Sequence, residues 1–405
     1  MRSIDVTLNA GQKTVTEPSI VRFLRRSGAR CEVEFPDGTT LRTSAAEIDF
    51  RVVFATVESM EIPLTEWAIG KAYITGEIDI EGDMWAVLSL RNSLPTGVAI
   101  GDAAKFAATL FLKSPQRANH AAIHDHYTLG DDFYLTFVDE RYRFYSHCLF
   151  HDDDETLEEA AEHKLENMWN ALELKPGMRV LDIGGGWGGI GEYCSPRGVQ
   201  VTSVTLVEES AKYIKALAER KGLDTQVVLG DFLNFRTSEP FDHVVIYGVI
   251  EHIPNYGKFC ENVWRVLKPA GRLYMDASAT KQKYAMSPVT RAFTWTGHHT
   301  FLCLQEMVQE LLFHGFEIVE VKRETHDYEL TITQWAERLE NARPQIIRRW
   351  GEEVYRTFRV FLWGGAHAFR TNRLQAYHLV AERRLDRGPR PGLGRRLVGF
   401  VASLR

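Results

Sequence analysis

Cysteine pairs, long apolar runs and an excess of positive charge are all missing from this sequence. Its five cysteines never form a C-x-x-C pair and are scattered along the 405 residues, at positions 31, 148, 194, 260 and 303. An odd and scattered set argues against a disulfide framework and against a cysteine-ligated zinc site. We therefore expect a protein of the reducing cytoplasm.

Membrane-spanning and nucleic-acid-binding classes are disfavoured as well. No apolar run approaches the roughly 20 residues that cross a bilayer, and no signal-peptide pattern opens the chain. The formal net charge is −6, so the surface as a whole gives no electrostatic reason to expect a nucleic acid partner. Any contact with lipid is therefore expected from the surface of the membrane.

The composition is that of a globular protein. With 44% hydrophobic and 25% charged residues over 405 positions, the chain can bury a large core, and its length suggests two domains. Between about residues 15 and 100, short runs alternate apolar and polar residues around "PDG" and "EGD" turns. This pattern predicts a small α+β module over residues 1–100.

Helical signals dominate residues 101–170. The stretch "HDDDETLEEAAEHKLENMWNAL" has an acidic first turn, and its apolar residues recur near helical spacing, at Leu157, Ala161, Leu165, Met168 and Leu172. We interpret this segment as a helical lead-in to the next zone.

From residue 176 onward, strand and helix patterns alternate. The aliphatic runs are "RVLDIG", "QVTSVTL", "TQVVLGDF", "FDHVVIYG" and "GRLYMDA", and amphipathic stretches separate them. Such alternation predicts an α/β fold, with a mostly parallel sheet covered by helices on both faces. We assign residues 101–405, including the lead-in, to this second domain.

The segment "RVLDIGGGWGGIGEY" places a glycine-rich turn between a strand and a helix. Gly184, Gly186 and Gly189 match the pattern G-x-G-x-x-G, which by itself is weak evidence for a nucleotide. A dinucleotide site would need an acid about 20 residues later, at the end of the second strand. Thr205 and Leu206 occupy that place instead.

An acid does precede the turn, at Asp182, and the motifs "GDF" and "YGVIEHI" follow the third and fourth strands. Together with the turn, these motifs resemble class I S-adenosylmethionine-dependent methyltransferases. The resemblance implies that the glycines let the backbone approach S-adenosylmethionine closely and that the nearby acid holds its ammonium group.

A narrower resemblance begins at "HDHYTLGDDFYLTFVDERYRFYSHCLF". This string is similar to the segment before the methyltransferase core in the family of cyclopropane fatty acid synthases and mycolic acid cyclopropane synthases. The likeness runs through "IEHI" and "YELTITQWAERL", over about residues 120–345, and "NRLQAYHLV" is also of that type. "GEIDIEGD" resembles the amino-terminal, SCP2-like lipid-binding module of the longer bacterial members.

The resemblance implies methyl transfer from S-adenosylmethionine to a double-bond carbon of an acyl chain, usually one carried by a membrane phospholipid. It implies a cytoplasmic enzyme peripheral to the inner face of the membrane, and it is compatible with a homodimer. Glu251 and Tyr328 would line the reacting centre. By motif position, the residues that would line the cofactor are Tyr127, Tyr145, Ser146, Asp182, Gly184, Gly186, Thr205, Leu206, Asp231 and Phe232.

Two positions depart from the family pattern. Relatives bind a bicarbonate ion as base through a cysteine after "YS", a histidine after the fifth strand, the "EH" glutamate and the late tyrosine. This chain has His147 and Asp276 in place of that cysteine and histidine, although a shift of one residue would return Cys148 to the pocket. We hypothesise that His147 and Asp276 pair and that the protein supplies its own base. Bicarbonate would then be unnecessary, because Glu251 and Asp276 together would repel an anion.

Several alternatives stay open. A displaced base would remove a different proton, so the sequence is compatible with ring closure and with a methylated or methylene-bearing product. A soluble small-molecule methyltransferase would use the same cofactor site but would need neither the amino-terminal module nor a basic tail. A lipid-binding protein with a degenerate core is disfavoured by the intact "DIGGGWGG" turn.

The last 23 residues, 383–405, hold seven arginines and one acid. Glycine and proline make a disordered tail the default interpretation, but "RRLVGFVASLR" alternates basic and apolar residues in a way that suits an anionic membrane surface. We predict membrane contact through this tail. We predict no metal site, because the adjacent pair His298 and His299 is more typical of a helix start than of a set of metal ligands.

Overall fold

The structure is a computed structural model that describes residues 17–95, 97, 129–283, 285–295 and 299–384. The chain forms two compact units, each drawn from three segments. The first unit is Met1–Phe137, Met286–His298 and Glu329–Arg373, and the second is Val138–Ala285, His299–Tyr328 and Leu374–Arg405. The predicted domain boundary near residue 100 falls outside the described residues.

The described residues form two sheets and the helices around them. The strands are β1 (Cys31–Glu34), β2 (Thr40–Arg42), β3 (Phe50–Phe54), β4 (Ile78–Gly82), β5 (Arg179–Ile183), β6 (Gln200–Thr205), β7 (Thr225–Leu229), β8 (Phe241–Tyr247), β9 (Leu267–Ala279), β10 (Phe316–Arg323) and β11 (Gln375–Arg383). The α-helices are α1 (Ser19–Ser27), α2 (Glu66–Thr75), α3 (Met84–Ser89), α4 (Asp131–Tyr134), α5 (Leu157–Ala171), α6 (Gly189–Cys194), α7 (Glu208–Lys221), α8 (Tyr256–Val266), α9 (Pro288–Phe293), α10 (Leu304–Phe313), α11 (Thr325–Asn341), α12 (Arg343–Trp350) and α13 (Glu352–Arg370). Within these segments, no helix has the length and apolar character needed to cross a membrane.

The first unit contains a four-stranded sheet in the order β2-β1-β3-β4. β1 and β3 are parallel, whereas β2 and β4 run antiparallel to their neighbours. Alternate residues of β1 and β3 are buried, as the alternating sequence pattern predicts. This unit thus combines strands and helices, and the SCP2-like module over residues 1–100 stays a prediction.

Two buried arginines of α13 complete the hydrogen bonding around β4, the edge strand of that sheet. Arg356 Nη1 donates to the carbonyl oxygens of Tyr73 and Ile78, both at 3.0 Å, and Arg359 Nη1 donates to that of Ile80 at 2.8 Å. Because a buried carbonyl group without a partner destabilises the fold, these contacts favour the packing of α13 against this edge.

The second unit is built on a seven-stranded sheet in the order β10-β11-β9-β8-β5-β6-β7. β5 to β9 pair in parallel, and β11 lies antiparallel between β9 and β10. The parallel strands coincide with the five aliphatic runs of the sequence. The predicted α/β class is therefore confirmed.

The strand order of this sheet reverses at β5, which has β6 on one side and β8 on the other. In open parallel sheets, ligands bind at the carboxyl ends of the strands beside such a reversal. The glycine-rich turn connects β5 to α6 at this place, so the topology brings the turn to the expected ligand-binding edge.

Helix α5 forms where the lead-in pattern predicts a helix. It begins with a capping box, in which Thr156 Oγ1 accepts from the Glu159 amide and the Glu159 carboxylate accepts from the Thr156 amide. The apolar positions predicted to face the core are all buried, namely Leu157, Ala161, Leu165, Met168 and Leu172.

Candidate active site

The glycine-rich turn needs glycine for two different reasons. Gly184 has a φ of +108°, and a Cβ atom built there would lie 2.4 Å from Cγ2 of Val249. At Gly186, φ is +50° and no atom lies within 4 Å of the Cβ position. Gly184 is therefore required by packing, whereas Gly186 leaves open space where a ligand can approach the backbone.

Asp182 lies at the end of β5 and is buried beneath the turn. Its Oδ2 accepts a hydrogen bond from Ser203 Oγ at 2.8 Å. Burial raises the pKa of this carboxyl to about 6, although hydrogen bonds from Ser203 and the Gly185 amide oppose the rise. Asp182 thus holds the conformation of the turn, and direct contact with the cofactor stays a prediction.

The remaining predicted cofactor residues on this edge follow β6 and β7. The Gly230 amide donates to the carbonyl of Thr205 at 2.8 Å, which joins the ends of the two strands. Asp231 caps the short 3-10 helix that follows by accepting from the Leu233 amide. Phe232 is buried, whereas Leu206 keeps 37% of its surface exposed.

Tyr145 and Ser146, which are predicted to line the cofactor, precede α5 in the chain. Ser146 packs against the residue that follows β8. Gly248 has a φ of +61°, and a Cβ atom there would lie only 3.0 Å from Cβ of Ser146. Ser146 is buried and Tyr145 is half-buried. Tyr127 lies outside the described residues.

A buried cation, Lys164, organises this region, and our sequence analysis missed it. Its Nζ donates to Ser146 Oγ at 2.7 Å and to the His147 carbonyl at 2.6 Å, and it lies 2.6 Å from Asp276 Oδ2. The same ammonium group lies 4.0 Å from the centroid of the Tyr247 ring. The sequence did carry a signal, because Lys164 occurs on the apolar face of α5.

The hypothesis that His147 and Asp276 pair is wrong. Asp276 accepts from the Gly248 amide at 2.8 Å and forms an ion pair with Lys164. An ammonium group pairs with a buried carboxylate as a cation, whereas an imidazole must first be protonated to do so.

The carboxylate partner of His147 is Glu324. His147 Nε2 lies 2.7 Å from Glu324 Oε2, and the other carboxylate oxygen of Glu324 hydrogen-bonds Nδ1 of His378. Burial favours a raised pKa for Glu324, but the two histidines hold that pKa down at about 2. Sequence spacing gives no hint of this group, because its members are 177 and 54 residues apart.

Tyr328 lies against His147. The rings of Tyr328 and His147 stack with 4.9 Å between centroids and 28° between planes. Cys148 is also buried, and burial raises the pKa of its thiol well above the ordinary value. A neutral, buried thiol is a poor base, and the catalytic role of His147 stays a prediction.

Glu251 is a further buried carboxylate of the site. Oε1 accepts from both the amide and the hydroxyl of Ser278, at 2.9 and 2.8 Å, whereas Oε2 has no hydrogen-bond partner among the described residues. Burial raises the pKa of Glu251 to about 7, and the nearby charge of Asp276 adds to the rise.

The residues at these positions do not fit a bicarbonate ion. The family's cysteine and histidine positions are occupied by His147 and Asp276, and the hydrogen bonds of the nearest cation, Lys164, go to protein oxygens. An anion would meet the carboxylates of Glu251 and Asp276, and the ammonium of Lys164 already pairs with Asp276.

Comparison with known proteins assigns the chain to a protein family. A model of the mycolic acid cyclopropane synthetase family matches residues 114–379. The chain belongs to this family. Gly186 and the open space above it fit the close backbone approach that S-adenosylmethionine needs, and membership makes the protein an S-adenosylmethionine-dependent methyltransferase. The predicted enzyme class, cofactor and fold are therefore confirmed.

Individual members of the mycolic acid cyclopropane synthetase family support the assignment. Cyclopropane-fatty-acyl-phospholipid synthase of Escherichia coli (strain K12) is 33% identical over 276 residues, which cover 66% of this chain and 69% of the relative. A probable fatty acid methyltransferase of Pseudomonas putida is 26% identical over 330 residues, which cover 77% and 81%. Mycolic acid cyclopropane synthase CmaA1, solved with SAH and CTAB, has a TM-score of 0.60 at 25% identity and covers 65% of this chain and 98% of its own.

Proposed function

We propose that this enzyme methylates a double-bond carbon in unsaturated acyl chains of membrane phospholipids. The observation that carries the proposal is Glu251, a buried carboxylate whose Oε2 has no hydrogen-bond partner among the described residues. An alkene is a weak nucleophile, and its methylation leaves a carbocation that no hydrogen bond can stabilise. A carboxylate shielded from water stabilises such a cation strongly.

The other site residues have distinct roles in this proposal. S-adenosylmethionine, when bound, supplies an electrophilic methyl group on a sulfonium. The turn at Gly184 and Gly186 and the residues after β6 and β7 hold the cofactor. Tyr328 presents an aromatic ring that stabilises positive charge, and His147 accepts a proton from the methylated chain.

The position of the base decides the product. If His147 removes a proton from the newly added methyl group, the electron pair of that C–H bond closes a cyclopropane ring. If it removes a proton from a neighbouring chain carbon, the electron pair forms a double bond and leaves a methyl branch. If a hydride first moves from the methyl-bearing carbon to the cation, loss of a proton from the added methyl leaves a methylene branch. We propose acyl methylation by any of these routes, since all use the same residues.

We also propose that the enzyme acts as a peripheral protein at the inner face of the membrane. Acyl chains of phospholipids are buried in the bilayer, so an enzyme that modifies them must contact its surface. The five arginines within residues 385–405 suit an anionic leaflet. A homodimer stays a prediction.

Lipid mass spectrometry tests the proposed function. We expect cells that express the enzyme to gain one CH₂ unit on unsaturated acyl chains, and NMR of the purified lipid distinguishes a ring from a branch. Cells that express Glu251→Gln should lack the product. If the wild type consumes S-adenosylmethionine with soluble hydroxyl or amine compounds and leaves lipids unmodified, the enzyme is a small-molecule methyltransferase instead.

A further inference from the structure

Glu324 is a buried carboxylate held between two histidines. Its Oε2 lies 2.7 Å from His147 Nε2, and its Oε1 hydrogen-bonds His378 Nδ1. The three side chains are almost fully shielded, with exposed fractions of 1% for His147 and Glu324 and 0% for His378. The function proposed above uses only His147 of this group.

The charge of Glu324 determines where His147 carries its proton. An ionised carboxylate can only accept hydrogen bonds, so both histidine nitrogens that contact Glu324 must carry hydrogen. Neutral His147 then has its proton on Nε2 and a free lone pair on Nδ1. Among the described residues, Nδ1 of His147 has no hydrogen-bond partner. Its lone pair is therefore free to accept a proton.

The ring and backbone of His147 are held from several sides. Tyr328 stacks on the ring, and the ammonium of Lys164 donates to the His147 carbonyl. His378 is itself held by Tyr274, whose ring stacks on it at 5.0 Å and 21°. A base kept in one orientation and one tautomer needs no rearrangement before proton transfer.

We propose that Glu324 fixes His147 in the Nε2–H tautomer and that Nδ1 of His147 takes the proton that the methylated acyl chain releases. The C–H bond breaks, its electron pair stays on carbon to form the ring or the double bond, and a new N–H bond forms on Nδ1. The imidazolium that results lies against the negative charge of Glu324. This inference rests on the proposed function; Glu324 and His378 are positioning residues, and His147 is the catalytic residue.

The tautomer can be measured without any substrate. In protein labelled with ¹⁵N-histidine, the His147 signals are those lost in His147→Asn. We expect the neutral form of His147 to show a protonated Nε2 and an unprotonated Nδ1 in the wild type, and Glu324→Gln to show a mixture of tautomers, because an amide can donate as well as accept. A wild-type His147 with its proton on Nδ1 would overturn the proposal.

Steady-state kinetics with unsaturated phospholipid vesicles tests the catalytic consequence. We expect Glu324→Gln to lower kcat by about 10²-fold or more while the KM for lipid and the Kd for S-adenosylhomocysteine stay near wild-type values. Glu324→Asp, which keeps the charge, should recover part of the loss. His378→Phe keeps an aromatic ring but removes the donor, so a smaller loss is expected.

A matched control is Glu317→Gln on β10, since Glu317 forms an exposed ion pair with Arg384. This variant should keep wild-type kcat. Thermal unfolding shows which variants fold, and a folded Glu324→Gln with wild-type kcat would refute the role of Glu324. If wild-type enzyme modifies no lipid, the acyl proposal fails, whereas the NMR result on the tautomer stands independently.

Discussion

At the scale of single residues, Lys164 stabilises the site through a buried ion pair with Asp276. Lys164→Met would leave Asp276 as a buried carboxylate without its cation, and loss of one partner of a buried pair costs about 3–5 kcal/mol. We expect a loss of this size in the free energy of unfolding, measured by urea denaturation. Lys212→Met is the control, because Lys212 forms an exposed pair with Glu208 and should change little.

An unchanged urea midpoint in Lys164→Met would mean that the ammonium contributes nothing to stability. A second measurement separates fold from function: because Lys164 also holds Ser146 and the His147 carbonyl, the folded fraction of the variant should bind S-adenosylhomocysteine more weakly than Lys212→Met does.

Glu251 makes stability depend on pH. Burial raises its pKa in the folded protein from the ordinary 4.5 to about 7, so the folded state holds this proton more tightly than the unfolded state. The resulting stabilisation is complete below about pH 4.5 and is lost as the pH rises through about 7. Relative to Glu251→Gln, the free energy of unfolding of the wild type should fall by about 2–3 kcal/mol between pH 5 and pH 8.

Glu239→Gln provides the control for this pH series, since Glu239 is largely exposed. A difference between wild type and Glu251→Gln that stays constant from pH 5 to pH 8 would contradict the raised pKa. Because the ionised form stabilises the cation, kcat/KM should rise with pH through about 7.

The sequence identified candidate site residues but not their partners. His147, Asp276, Glu251 and Tyr328 were found from motif positions, yet the predicted pairing of the first two was wrong. Motifs place residues relative to their own strand or helix, whereas a pair depends on how distant segments pack. Glu324, which replaces Asp276 as the partner, is 177 residues from His147.

At the scale of elements, two glycines of the glycine-rich turn have different roles. Gly184 is required by packing, and Gly186 leaves space for a ligand. Gly184→Ala would put a methyl group 2.4 Å from Val249 at a φ of +108°, so we expect it to destabilise the protein. Gly186→Ala meets no neighbouring atom, and its main expected effect is weaker binding of S-adenosylhomocysteine in calorimetry, because the added methyl occupies the space that the ligand approaches.

The control for these variants is Gly222→Ala. Gly222 ends α7 with a φ of +63° and has open space around it. It therefore carries the same left-handed strain as Gly186, of about 1 kcal/mol, with no place in the cofactor site. Equal affinity for S-adenosylhomocysteine in Gly186→Ala and Gly222→Ala would show that the turn is not part of the binding site.

The parallel strands β5 to β9 could be predicted because a strand buried on both faces needs a continuous aliphatic run. The insertion of β11 between β9 and β10 could not, because β10 is largely exposed and mixes charged with apolar residues. A strand's own residues indicate its faces, but its neighbours are set by the packing of the whole sheet.

At the scale of the whole molecule, the two units are interleaved along the chain. The first unit takes residues 286–298 and 329–373 after the second has begun. Local composition does not change where the chain passes from one unit to the other, so no sequence pattern predicts these positions. The compositional change that the sequence does show, toward arginine, glycine and proline, lies near the carboxyl terminus.

The carboxyl-terminal segment gives a prediction about the enzyme and its membrane. A variant that ends at Arg384 keeps β11 complete and removes residues 385–405, which contain five arginines and one acid. Each arginine near an anionic surface contributes about 1 kcal/mol to binding. In vesicle sedimentation with phosphatidylglycerol, we expect the truncated enzyme to bind at least tenfold more weakly, while its affinity for S-adenosylhomocysteine stays unchanged.

Replacing the five arginines by glutamine in the full chain distinguishes charge from apolar contact. If charge dominates, the glutamine variant should bind phosphatidylglycerol vesicles as weakly as the truncated enzyme, and high salt should weaken the wild type in the same way. If the glutamine variant binds as the wild type does, the apolar residues of "LVGFVASL" hold the tail to the membrane. Equal vesicle binding by the truncated and complete enzymes would contradict this prediction. The tail would then contribute nothing to membrane binding, and other surfaces of the protein would have to make the contact.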